Sequence, residues 1–159
     1  EWVRSNFYRD MSKQDFYSSH IEEVLGTPRD TGVEFDPYLT GDRHSLEPLK
    51  ASFRNLTLDS TRDDILYSVA YNNAKYVLGI IPEWEKTGRI GRKIYHVGGG
   101  AGEGYTNIKK GMMKNYKFIN IGETAEKGAA IIGFGTLSNS SNKESTGMFP
   151  VKNNIRREI

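Results

Sequence analysis

The residues best placed to do chemistry lie in Lys93–Gly104, KIYHVGGGAGEG. A short run with β character, Ile94 to Val97, breaks into the glycines Gly98, Gly99 and Gly100, and Gly102 and Gly104 follow. Glycine weakens a regular element, so this spacing predicts a strand-to-helix turn that something approaches closely. A turn of that kind ahead of a helix offers unpaired N–H groups at the positive end of the helix dipole, a setting that suits an anion. A tight turn with no ligand needs the same residues.

Other chemistry is sparse. The chain has 159 residues and no cysteine, which excludes disulfides and thiolate catalysis and suits a reducing, cytoplasmic setting. Lys plus Arg number 22 against 20 Asp plus Glu, a net charge of +2. Nucleic-acid binding needs Lys and Arg clustered on one face. The candidates, Lys109–Lys110–Lys114–Lys117 and Arg156–Arg157, read as solvated surface, so no nucleic-acid partner is expected. No apolar run approaches the ~18 residues of a membrane helix, and no membrane partner is expected either. His20 lies among serines and glutamates and reads as a surface or half-buried histidine. Gly41, Asp42, Arg43 and His44 read as a salt-bridged loop corner.

The elements that must position the glycine turn can be read on either side of it. Trp2, Val3 and Phe7 form one short apolar face. Ser12 with Asp15 forms a weak capping box for a helix ended by Gly26 and Pro28. Gly32–Leu39 reads as a short edge strand and Thr40–Leu56 as a loop. Asp59–Ser60–Thr61 caps a helix expected over Arg62–Ile81, with Pro82 ending the pattern and the apolar stripes packing on a sheet. Beyond the turn, a helix is expected near Tyr105–Asn115, a strand over Lys117–Ile121 and a helix after Glu123, with Gly128, Gly133 and Gly135 inside it. Ser138–Gly147 reads as a loop.

The order strand, glycine turn, helix, strand, acid fits several nucleotide folds. In a G-x-G-x-x-G register the third glycine falls on Glu103 or Tyr105. A methyltransferase-like arrangement wants an acid where His96 stands. The chain contains no G-x-x-x-x-G-K-[ST], so a P-loop is excluded.

Val97–Ala101, VGGGA, resembles the adenosine motif of the actin-like superfamily of sugar kinases. The surrounding pattern is similar to the FGGY carbohydrate kinases. Their F-x-P-Y-L-x-G-E-R is matched by Phe35, Pro37, Tyr38, Leu39, Gly41, Asp42 and Arg43, and their F-x-G-L-T by Phe53, Leu56 and Thr57. Their E-x-x-x-x-G-A-A is matched by Glu123, Gly128, Ala129 and Ala130. Asp42 replaces a Glu, Asn55 stands in place of Gly, and Tyr67, Ser68, Tyr71 and Asn72 replace R-A-x-x-E-G in the long helix.

The resemblance implies an α/β fold: a partial actin-like ATPase (ribonuclease H-like) domain, three-layered, without the first strands of its sheet. Residues 1–137 would be the C-terminal nucleotide-binding domain and 138–159 a Ser/Asn-rich loop and tail. Gly98, Gly99, Gly100 and Ala101 would let adenine and ribose lie on bare backbone, with Gly41 facing them from another loop. Glu123 would cap a helix, and no metal ligands are expected. ATP and Mg2+ would be the cofactors, the Mg2+ held mainly by phosphates and a missing N-terminal domain. A small sugar or polyol would be the acceptor. The general base would belong to that missing domain, leaving this portion inactive alone. Loss of nucleotide would instead make it a non-catalytic actin-like module.

Overall fold

The structure, a computed structural model, describes residues 1–41, 48–88, 90–122, 124–125 and 127–132. Asp42, Arg43, His44, Glu123, Gly133, Gly135 and the proposed boundary at 137 lie outside the described residues.

Helix α1 (Trp2–Phe7) buries Val3. Helix α2 (Lys13–Asp15) starts at Ser12, whose Oγ accepts from the Asp15 N–H at 3.0 Å. A π turn, Phe16–His20, carries the helix without a break into α3 (Ile21–Gly26). Its mark is the Ile21 N–H donating to the Phe16 carbonyl, five residues back. Gly26 is the last helical residue, as the Gly26–Pro28 stop predicts.

Strand β1 (Glu34–Asp36) pairs antiparallel with β2 (Ser52–Arg54), Phe35 opposite Phe53. β2 corrects the expectation of a continuous loop over Thr40–Leu56. One aromatic between two polar residues gives too short an alternation to be read, and the pairing is fixed by contacts distant in sequence. The Phe35 and Phe53 rings lie 4.8 Å apart, Trp2 stacks on Phe53, and Ser52 and Arg54 both donate to Asp36. Asn55 leaves the strand at φ 61°, the left-handed conformation that asparagine tolerates best after glycine.

Helix α4 (Arg62–Leu78) opens with a capping box. The Thr61 side chain accepts from the Asp64 N–H, and the Asp64 carboxylate accepts from the Thr61 N–H at 2.9 Å. The expected helix to Ile81 stops at Leu78, and Pro82 lies in the first turn of α5 (Ile81–Thr87) rather than ending a helix. Proline suits that position because its missing N–H has no carbonyl to serve there. Then follow β3 (Lys93–His96), a 3-10 turn at Gly98–Ala101, α6 (Glu103–Met112) and β4 (Lys117–Asn120). β3 and β4 are parallel, Lys93 opposite Lys117 and His96 opposite Asn120. Helical backbone returns at 124–125 and 127–132.

The architecture is mixed α/β with small sheets. Helices α3, α4 and α6 pack on one another around Phe16, Val24, Leu25, Leu66, Ala74 and Ile108. Thus α4 meets other helices as well as β1, where its pattern alone suggested a sheet. A second cluster, Leu78, Ile81, Tyr116 and Phe118, seats the parallel pair. The other face of that pair leaves Tyr95 59% and Val97 50% exposed, so the third layer of a three-layer domain is not formed among the described residues. Tyr8 is fully buried, and its hydroxyl donates to Asp63 at 2.7 Å. His20 Nε2 lies 3.1 Å from the same oxygen, half-buried as its sequence context suggests. Burial, reinforced by the Asp63 carboxylate, holds the Tyr8 phenol well above its ordinary pKa. No helix among the described residues is long and apolar enough to cross a membrane.

The tightest approach is α3 on α6. A side chain at Gly104 would place its Cβ 2.8 Å from Leu25 Cβ and 2.9 Å from the Leu25 carbonyl carbon. Backbone cannot step aside cheaply. Gly104→Ala should therefore lower the unfolding free energy by about 1–3 kcal/mol, read as a lower urea midpoint at unchanged slope.

Candidate functional site

The glycine turn is built from β3 outward. His96 ends the strand and its carbonyl accepts the Ile121 N–H at 3.1 Å. Val97 is extended, and Gly98 then turns at φ +68°, a conformation that other residues rarely adopt. Gly98, Gly99, Gly100 and Ala101 form one 3-10 turn, and Gly102 leads into α6 at φ −55° and ψ 152°. Helix α6 begins at Glu103, ahead of the Tyr105 start expected, because Gly102 already supplies the extended residue that precedes a helix.

Three side chains pin this turn from below. Asn120, in register with His96 on β4, donates its amide to the Ala101 carbonyl at 3.0 Å. Thr106 donates to the same carbonyl at 3.4 Å. Lys109 Nζ donates to the Gly100 carbonyl at 2.5 Å, lies 2.9 Å from His96 Nδ1 and sits 4.5 Å from the centre of the Tyr105 ring. Lys109 is 7% exposed, which corrects its reading as solvated surface. Its signal in the sequence was position: it follows Tyr105 by one helical turn and so shares that inward face. The ammonium can only donate, so His96 Nδ1 accepts and the ring proton sits on Nε2, which is shielded and has no partner among the described residues. Burial and the neighbouring Lys109 charge hold the His96 pKa below its ordinary value, and burial lowers that of Lys109.

The glycines divide by what surrounds them. Gly102 and Gly104 are explained within the fold. A Cβ at Gly102 would fall 2.2 Å from Glu22 Oε1, and the Gly104 N–H donates to Glu22 Oε2 at 2.7 Å. The α6 N-terminus, read from sequence as a ready anion site, already holds a carboxylate of this chain. Nothing in the local sequence of α3 marked Glu22 for this, since the pairing spans most of the chain. Gly98 and Gly100 differ. Among the described residues, a Cβ on Gly98 would meet nothing within 4 Å, and one on Gly100 only the Tyr105 ring at 3.8 Å. Both are exposed, while Ala101 is buried.

Gly41 occupies a turn of its own after β1, at φ +79°, with its N–H on the Tyr38 carbonyl at 3.1 Å. No hydrogen bond among the described residues joins it to the Gly98–Ala101 turn. An open cleft of about 840 Å3 runs between Arg29–Pro37 and the α4 face carrying Tyr67, Tyr71 and Lys75, and it is lined by none of the residues expected to hold nucleotide. Its charges are largely internal: Arg54 pairs with Glu34 and Asp36, and Arg29 with Asp64.

No protein-family model matches this sequence, and no curated protein matches it. Among solved structures, the chain is similar to the crystal structure of xylulose kinase from Rhodospirillum rubrum, with a TM-score of 0.66 at 13% identity over 77% of this chain. The match spans 25% of that kinase, about a quarter of its length. At that identity the likeness is one of fold, to part of that sugar kinase.

Proposed function

We propose that this chain is the adenosine-holding portion of an ATP-dependent carbohydrate kinase, which passes the γ-phosphate of ATP to a hydroxyl of a small sugar or polyol. The observation that carries this reading is the bare outer surface of Gly98 and Gly100, which among the described residues is bordered only by the edge of the Tyr105 ring. The surface is held rigid from beneath by Lys109, Asn120 and Thr106. A flat purine and its ribose need a smooth backbone platform of this kind, and the likeness to a xylulose kinase agrees with it. Phosphoryl transfer further needs γ-phosphate neutralisation and a positioned acceptor hydroxyl. Among the described residues no group of three His, Asp or Glu side chains could hold a metal ion. Mg2+ would arrive with the nucleotide phosphates, and the sugar and its general base would be held by a further domain.

Gly100→Val separates platform from scaffold. Position 100 is exposed and its neighbour is a ring edge in ordinary contact, so stability should change by no more than about 1 kcal/mol. Adenosine affinity, measured by calorimetry, should fall at least about tenfold, since the new side chain stands where the base would rest. Equal affinity in both proteins, or no binding to either, would leave a non-catalytic module as the better reading. A coupled assay of ADP release from the chain alone, offered pentuloses, hexuloses and glycerol, should show no turnover.

The latch under the turn gives a pH dependence. His96 binds its proton less readily in the folded protein than in the unfolded chain, so acid favours the state in which the latch is open. Its contribution is complete above about pH 6.5 and is lost as pH falls through the lowered folded value. Adenosine affinity should therefore be flat from about pH 8 to 6.5 and decline below. His96→Gln should remove that part of the decline.

A further inference from the structure

We propose that Glu22 is a specificity-determining residue of the glycine turn: an internal anion that fills the end of α6 and turns phosphate away, so that the turn accepts only the uncharged nucleoside face of a ligand. The inference rests on the turn being a nucleoside platform. A strand, a glycine turn and a helix N-terminus in this order usually leave the first helical N–H groups free for an anion. Here the Glu22 carboxylate has that place, with Oε2 on the Gly104 N–H at 2.7 Å and Oε1 in the space beside Gly102 that a side chain would fill. The carboxylate is carried by α3, whose backbone touches α6 at Gly104, so it is delivered by rigid packing rather than by a loop. Glu22 is half-buried, which limits screening of its charge, and Glu103 adds a second, exposed carboxylate in the same helical turn. An incoming phosphate would meet two like charges and an N–H already bonded. A purine and ribose on Gly98 and Gly100 would meet neither. The phosphates of a bound nucleotide must therefore run away from α6.

The experiment compares calorimetric affinities for adenosine, ADP and inorganic phosphate in the chain and two variants. Glu22→Gln keeps an oxygen to accept from Gly104 and removes the charge. Gly102→Ala leaves Glu22 in the sequence but displaces its flexible carboxylate, at a backbone conformation that alanine adopts without strain. The unaltered chain should bind adenosine and ADP within about threefold of each other and bind no phosphate. Each variant should raise the ADP-to-adenosine affinity ratio by about 5- to 30-fold, the range expected when one nearby like charge is removed. An unchanged ratio in variants that melt cooperatively overturns the proposal. If adenosine binds none of the three, the nucleoside reading fails by itself. Phosphate then decides the role of Glu22: binding gained in the variants supports it, and no gain overturns it. Should both variants fail to fold, the Gly104 amide resonance of the unaltered chain is the arbiter. It should stay in place as phosphate is added, and a saturable shift overturns the proposal.

Discussion

The structure depends on the close contact between α3 and the first turn of α6. At Gly104 the backbones meet with no room for a side chain, and Leu25 seals the contact. Because α6 is fixed there, Lys109 is brought under the Gly100 carbonyl and Thr106 under Ala101. The other end of α6 leads through Met112, which packs against both apolar clusters, into β4. The glycine turn is therefore held between a strand and a helix whose relative position α3 sets. Burial supplies the general stability, but this one contact sets the register of the turn.

Much of this arrangement was legible in the sequence wherever it depended on neighbours along the chain. The Ser12 and Thr61 caps, the Gly26 stop, the strand into the glycines and the strand from Lys117 are local signals, and each appears within a residue or two of its expected place. Asn55 at positive φ is a stricter case, since it stands in place of a Gly in the resembled pattern and asparagine is the residue that best replaces glycine there. What the sequence hid depended on distant partners. β2 exists because Phe53 meets Phe35, Trp2 and Phe7. Pro82 starts a helix because α4 has already closed at Gly79. Lys109 is buried because its ammonium finds a carbonyl, an imidazole and an aromatic face.

The candidate site shows the same division. Five glycines within Gly98–Gly104 suggested close approach by a ligand or a tight turn with none, and the structure separates them. Gly98 is required by its φ, Gly102 and Gly104 by α3, and among the described residues the outer surface of Gly98 and Gly100 is left open. A motif read as a unit thus combines a hinge, a packing contact and an open platform. Only the last bears on what the molecule holds.

The wide turn Phe16–His20 has a consequence for how the helix before it is phased. Each residue of an α-helix advances the azimuth by about 100°. The extra residue taken up in the π turn offsets everything after it, so that Glu22 and Leu25 point at α6 while Phe16 still points at Tyr8. Deleting a single residue from that turn would close it to an ordinary α turn and leave the carboxylate facing α6, whereas tightening it at unchanged length would rotate Glu22 off the end of α6 and bring a different side chain against Gly104. The width of the Phe16–His20 turn, matched to its residue count, thus acts as a phase control on a site more than eighty residues away in sequence.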